Sequence, residues 1–181
     1  QLSGEIFDIL EAQRKAGEEL FKPVQDLIQN NRLIRDEYKL QFQATLGGST
    51  DALSTALFAL IKQNAGDFRG DEESHAAVKR IAEKLNLSNK EQALQFVTEL
   101  HDKIAAAARG ANPSGVGIAS ILRAAKAPSG VNKTSADVYD LIFGLSFLEP
   151  RYSLLFQDTQ IEQLSPGQRG ALLLIFYLLV D

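Results

Sequence analysis

The sequence predicts a mostly helical α+β fold. Three observations carry that expectation. Residues 34–46 alternate apolar and polar side chains with a period of two. Several longer segments space their apolar residues three and four apart. Near the end, a turn bearing Pro166 and Gly167 opens an apolar helix. Two strand regions, separated by a helical insertion over residues 47–133, give the organisation.

Taken in order, residues 5–31 read as helix, with Ile6, Leu10, Leu20, Phe21, Val24, Leu27 and Ile28 as its apolar positions. Pro23 should kink or restart it, because proline removes a backbone donor and clashes with the preceding turn. The first domain segment is therefore 1–33, a helical region. The strand at 34–46 follows, with Ile34, Tyr38, Leu40, Phe42, Ala44 and Leu46 on one face. Gly47 and Gly48 should end it, and Ser49, Thr50 and Asp51 offer caps for a helix running to about Asn64. Gly66 to Gly70 reads as a loop. Helices are expected at about Glu72–Leu85, Asn89–Ala108 and Gly117–Lys126, with small-residue connections at Gly110–Gly117 and Pro128–Lys133. The final segment, 134–181, should hold a helix capped by Thr134 or Ser135 and running to about Leu148, a stop at Pro150, a short strand over Arg151–Gln157, a turn, and a helix starting at Pro166.

The bulk numbers exclude several functions. With 181 residues and no cysteine, the chain can bury a core but has no disulfide, zinc–thiolate cluster or thiol nucleophile. A net charge of -4 gives no overall attraction to nucleic acid. The longest apolar run, Ala171–Val180, spans about 15 Å as a helix, half of a bilayer core, so a buried core helix is expected rather than a membrane span. No leader pattern opens the chain, which predicts a cytoplasmic protein. The absence of methionine predicts that Gln1 is not where translation began and that the chain is a fragment.

One stretch carries chemistry: Leu164-Ser165-Pro166-Gly167-Gln168-Arg169-Gly170. Ser165 suits the N-cap, Pro166 the first helical position, and Gln168, three after Ser165, completes a capping box. The positive end of the helix and its free N–H groups favour an anion there. Glycine inside a helix costs about 0.5–1 kcal/mol relative to alanine, yet this region holds both Gly167 and Gly170.

That stretch resembles the signature motif of ABC-type ATPases, commonly written LSGGQ. The strand and turn over 152–159 and the apolar helix after the motif look like those of ATPases related to the structural-maintenance-of-chromosomes, Rad50 and RecN proteins, and residues 145–181 are similar to bacterial AAA-like ATPases linked to DNA repair and phage defence. Pro166 departs from the general motif by replacing its first glycine. The resemblance implies the C-terminal lobe of an ABC-type ATPase head, with residues 1–33 as the stump of its coiled coil. In such proteins two heads sandwich two nucleotides, and the signature of one contacts the γ-phosphate of ATP held, with Mg2+, by the other. Carried over, Ser165 donates its hydroxyl, Gly167 its backbone N–H, and Pro166, Gln168 and Arg169 complete the cofactor-binding set. The partners so implied are ATP and an opposing head, as a homodimer when complete, with DNA as a partner through the resemblance alone.

Hydrolysis also needs a P-loop and magnesium-binding carboxylates, and neither is present in this sequence. No catalytic or metal-ligating residue is therefore assigned, and the chain is not expected to hydrolyse ATP by itself. Ala127–Thr134 ends in Lys-Thr but has Ala127 and Asn132 where a P-loop requires glycine. Leu178-Leu179-Val180-Asp181 resembles a Walker B strand but continues the apolar helix without a turn. The resemblance puts the true Walker B strand several residues further on. His75 and His101 read as solvated surface, and Asp71-Glu72-Glu73 as an acidic helix start. The competing reading is a helical protein-interaction module with no nucleotide function.

Overall fold

The structure, a computed structural model, describes residues 1–32, 35–36, 39–115, 117–124 and 133–180, with the side chains at 175, 176 and 178–180 left out. It is an α+β fold, mostly helical. The elements are α1 (Leu2–Leu20), α2 (Lys22–Asn30), β1 (Leu40–Gly48), α3 (Thr50–Leu60), β2 (Asn64–Ala65), β3 (Phe68–Arg69), α4 (Asp71–Ala82), α5 (Lys90–Ala111), α6 (Ser135–Phe143), β4 (Leu148–Phe156), β5 (Thr159–Gln160) and α7 (Pro166–Val180). Single 3-10 turns lie at Gly117–Ile121 and Ile161–Gln163. One sheet has the order β1-β4-β5, and β2-β3 is a separate hairpin. The chain divides into two compact units, one of residues 1–11 and 46–149, the other of 12–45 and 150–181.

The first unit is built on helices. Leu57, Phe68, Val78, Phe96, Leu100, Ile104, Val138 and Ile142 are fully enclosed and form one core with their neighbours. Ser49 caps α3 by accepting the Ala52 N–H at 3.3 Å, and Asn89 caps α5 through the Gln92 N–H at 3.0 Å. The tip of the β2-β3 hairpin lies against α5. Gly66 has φ +60, and a β-carbon there would sit 3.1 Å from the Ala107 α-carbon, so only glycine serves.

The second unit has a smaller core of Ile28, Leu40, Leu164 and Leu172, with Leu154, Phe156 and Ile161 packed against it. Phe21 stacks on Phe42 at 4.9 Å between ring centres, and Tyr152 adds a tilted contact to Phe21 at 5.6 Å. The Tyr152 hydroxyl donates to Gln13 O at 3.2 Å and occupies the space beside Gly17, where a β-carbon would come within 1.9 Å of it. Gln157 and Asp158, both with positive φ, make the two-residue turn between β4 and β5 that pairs Phe156 with Thr159.

Several boundaries differ from expectation, each for a physical reason. Pro23 does break the first helix, into α1 and α2, and occupies the first turn of α2. The strand expected from Ile34 starts instead at Leu40. Helical bonding persists to Arg35, whose N–H donates to Asn31 O at 3.0 Å, and Ile34, Glu37 and Tyr38 lie outside the described residues. Gly47 and Gly48 belong to the strand rather than ending it. Helix α3 stops at Leu60, four residues early, because Lys62 N–H donates to Ile121 O at 2.7 Å and Arg123 N–H to Leu60 O at 2.8 Å. Tertiary pairing there replaces the next helical turn. The loop expected at Gly66–Gly70 holds half of a hairpin. The helix expected over Gly117–Lys126 is a 3-10 turn ending at Ile121, and residues 125–132 lie outside the described set.

Helix α6 ends at Phe143 rather than Leu148, because Leu145 takes φ +51 and Phe147 O accepts the Ser49 N–H at 3.0 Å. Pro150 therefore does not stop a helix but lies inside β4, which has nine residues, as many as β1. Among the described residues β5 pairs only with Leu155 and Phe156, so β4 has an unpaired edge at Pro150, where proline is tolerated in a strand. The largest correction is α7. In place of the buried core helix expected, Leu173, Leu174 and Tyr177 are 69%, 60% and 72% exposed, while Leu172 beside them is enclosed. Among the described residues, no helix is long and apolar enough to cross a membrane.

Candidate functional site

The start of α7 is where the sequence-predicted residues meet. Leu164 is buried with Leu172 and fixes the approach to the helix from beneath. Ser165, Pro166, Gly167, Gln168, Arg169 and Gly170 are all exposed. The capping box is formed in both directions. Ser165 Oγ accepts the Gln168 N–H at 3.3 Å, and Gln168 Oε1 accepts the Ser165 N–H at 3.0 Å.

Counting donors shows what the box leaves over. Pro166 has no N–H. The Gln168 N–H and the Ser165 N–H are used by the box, and the Arg169 N–H donates to Ser165 O at 3.0 Å. The Gly167 N–H has no acceptor among the described residues. Among the described residues Ser165 Oγ acts only as an acceptor, which leaves its hydroxyl proton available. Two donors therefore stand together at the positive end of a fifteen-residue helix, the condition that favours an oxyanion. Arg169 Nε donates to Leu164 O at 2.9 Å, which ties the guanidinium to the turn, while its two terminal nitrogens have no acceptor among the described residues. The Gln168 amide nitrogen is likewise not used by the box.

Gly167 and Gly170 have nothing within 4 Å of the position a β-carbon would take. Neither has a positive φ, so neither conformation nor packing calls for glycine at these positions. Gly66 and Gly17, by contrast, are each held to glycine by an atom of the fold.

The other residues singled out from the sequence behave differently. Lys133 of the Lys-Thr pair donates to Ala59 O, and Thr134 caps α6 with Asp137 in a second capping box. Ala127–Asn132 and Asp181 lie outside the described residues. Asp71, Glu72 and Glu73 fall in the first turn of α4, where acids offset the helix dipole. Among the described residues, no group of three potential ligands is placed to hold a metal.

The two histidines are half-buried rather than fully solvated as expected. His101 packs between Tyr139 and Phe143, at 5.8 and 5.6 Å between ring centres. His75 lies edge-on to Phe58 at 5.2 Å, with Nδ1 2.7 Å from Ser54 Oγ and Nε2 3.6 Å from Asp71 Oδ1. Sequence reasoning missed this Ser-His-Asp grouping, since only the packing of α3 on α4 creates it. Ser54 is 1% exposed, so its hydroxyl, 3.0 Å from Asp51 O and 2.7 Å from Nδ1, is closed to a substrate. The grouping locks α3 to α4.

No protein-family model, no curated protein and no solved structure matches the chain.

Proposed function

We propose that this chain is the signature-motif portion of an ABC-type ATPase head, with Ser165 and Gly167 meeting the γ-phosphate of ATP held by an opposing head. The observation that carries the reading is the pair of uncommitted donors, the Ser165 hydroxyl and the Gly167 N–H, left by a completed capping box at an exposed helix start. Two further features support it. Gly167 and Gly170 keep the approach free of side chains at a cost to helix stability that the fold does not require. The apolar face of α7 at Leu173, Leu174 and Tyr177 is exposed, as it would be on a helix that packs against further strands of a larger head.

On this reading the chain does not cleave ATP. The P-loop, Walker B carboxylates and bound Mg2+ come from elsewhere in the head. Phosphate binding across two heads makes ATP the agent that holds them together, and the ATP state becomes a conformational state. DNA repair or phage defence would be the setting, and DNA a partner, by family resemblance.

The test uses a protein that carries this segment together with a P-loop. Ser165→Arg places a bulky cation where the phosphate would sit. ATP-driven dimerisation, measured by light scattering, should be lost while the circular dichroism spectrum is unchanged. Normal dimerisation of that variant with ATP would remove the signature assignment.

The second reading is a helical interaction module, and the same exposed Leu173, Leu174 and Tyr177 favour it. It requires a partner protein on that face and no response to nucleotide.

A further inference from the structure

A groove of about 380 Å³ in the first unit lies among the β2-β3 hairpin, α4 and α5. Buried Ala77 and Ile81 supply apolar lining. Its four cations come from separate elements: Arg69 from β3, Arg80 from α4, Lys84 from the turn after α4, and Lys103 from α5. Three acids, Asp67, Glu73 and Glu99, also line it, which leaves one positive charge in excess where the whole chain carries a net charge of -4.

Partners divide the four cations into two pairs. Lys103 is bonded to Asp67, and Arg80 lies 3.5 Å from Glu73. The Lys103 hydrogen bond and charge hold the Asp67 carboxyl below its ordinary range, with Arg80 adding a smaller effect in the same direction. Arg69 and Lys84 have no acidic partner among the described residues. The remaining acid of the groove, Glu99, accepts from the Gln95 amide at 2.7 Å. Concave walls of low dielectric concentrate the field of uncompensated charges.

Two other cavities show the contrast. In the second unit, the cation of one, Arg35, is gripped by both Asp36 oxygens at 2.7 and 3.0 Å. Another, at Lys15 and Lys22, also holds Glu18, Glu19 and Asp26.

We propose that the groove binds a phosphate monoester, with Arg69 and Lys84 as its principal contacts and Arg80 turning from Glu73 to join them. Cations arriving from several elements suit a tetrahedral anion whose oxygens point in several directions. A planar carboxylate is satisfied by a single arginine fork. Ala77 and Ile81 would take the apolar part of the bound molecule. This site is separate from the start of α7 and does not depend on the ATPase reading.

Titration of the chain with inorganic phosphate, phosphoserine and a short phosphoserine peptide, followed by backbone amide shifts, tests it. Saturable shifts should centre on Arg69 and Lys84 and weaken as salt is raised. Arg69→Ala and Lys84→Ala should each weaken binding about tenfold. Lys79→Ala, the same charge change at an exposed residue outside the groove, should leave it unaltered, and Glu99→Gln should tighten it. Tighter binding of the peptide than of phosphoserine would identify a phosphoprotein source, and equal binding a small metabolite. Shifts that map elsewhere, equal binding of acetate, or Arg69→Gln and Lys84→Gln variants that fold and bind like the parent would each overturn the proposal.

Discussion

Helices α6 and α7 both open on a capping box, Thr134 with Asp137 and Ser165 with Gln168. The residues beyond each box differ. In α6 the next inward positions, Val138 and Ile142, are completely enclosed. In α7, Leu172 is enclosed but Leu173, Leu174 and Tyr177 are mostly in solvent, and the first turns carry two glycines with open space around them. The same local device thus serves a helix whose load is packing and a helix whose start and outer face are left free. The cap alone does not separate the two helices; the residues after it do.

The comparison breaks most visibly in the core positions. Ile142→Ala should cost about 2–5 kcal/mol, as expected for truncation at a fully enclosed site, whereas Leu174→Ala should change stability by no more than about 0.5 kcal/mol. Urea unfolding measures both, and a similar loss at the two positions would mean that the outer face of α7 is packed in solution.

Removing the caps should give closer values. Thr134→Ala and Ser165→Ala should each cost about 1 kcal/mol, because each leaves an N–H at its helix start without its acceptor. Helix content followed by circular dichroism on heating checks this pair.

Gly170→Ala has the opposite sign. With space for the methyl group, it should stabilise α7 by about 0.5–1 kcal/mol, raising the melting temperature.

The smallest effect separates the two boxes by pH. Asp137 accepts the Thr134 N–H at 2.6 Å, and that bond, with the Thr134 hydroxyl, lowers its carboxyl below the usual aspartate range. A folded value below the unfolded one stabilises the fold above the unfolded pKa of about 4, and that contribution fades as pH falls through the lowered value. Gln168 does not titrate. Amide exchange at Thr134 should therefore quicken in acid, relative to its intrinsic rate, while exchange at Ser165 should not change with it. Parallel loss at both starts would contradict the assignment of the bonds.

Much of this was legible in the sequence because it is local. The Ser165-x-x-Gln168 spacing, the break at Pro23 and a cap within Ser49–Asp51 depend on residues within one turn of each other, and each is found in the structure. The mostly helical α+β class was legible for the same reason. The features that the sequence did not reveal depend on pairing at a distance. The early end of α3, the placing of Pro150 within a strand and the Ser54–His75 lock all arise from partners far away in the chain. The exposure of α7 was missed because an apolar run has the same composition whether or not something covers it. The groove at Arg69 and Lys84 combines four separate stretches, and none carries a motif.

The most direct measurement is a paired one on Gly167→Ala, in a protein carrying this segment and a P-loop. Thermal unfolding reads the fold, and ATP-driven association reads the motif. A signature role for Gly167 predicts a higher melting temperature together with weakened association, since the methyl group stabilises the helix but stands at the proposed phosphate. A higher melting temperature with association unchanged would contradict that role, and would leave α7 as a well-capped helix with no part in nucleotide binding.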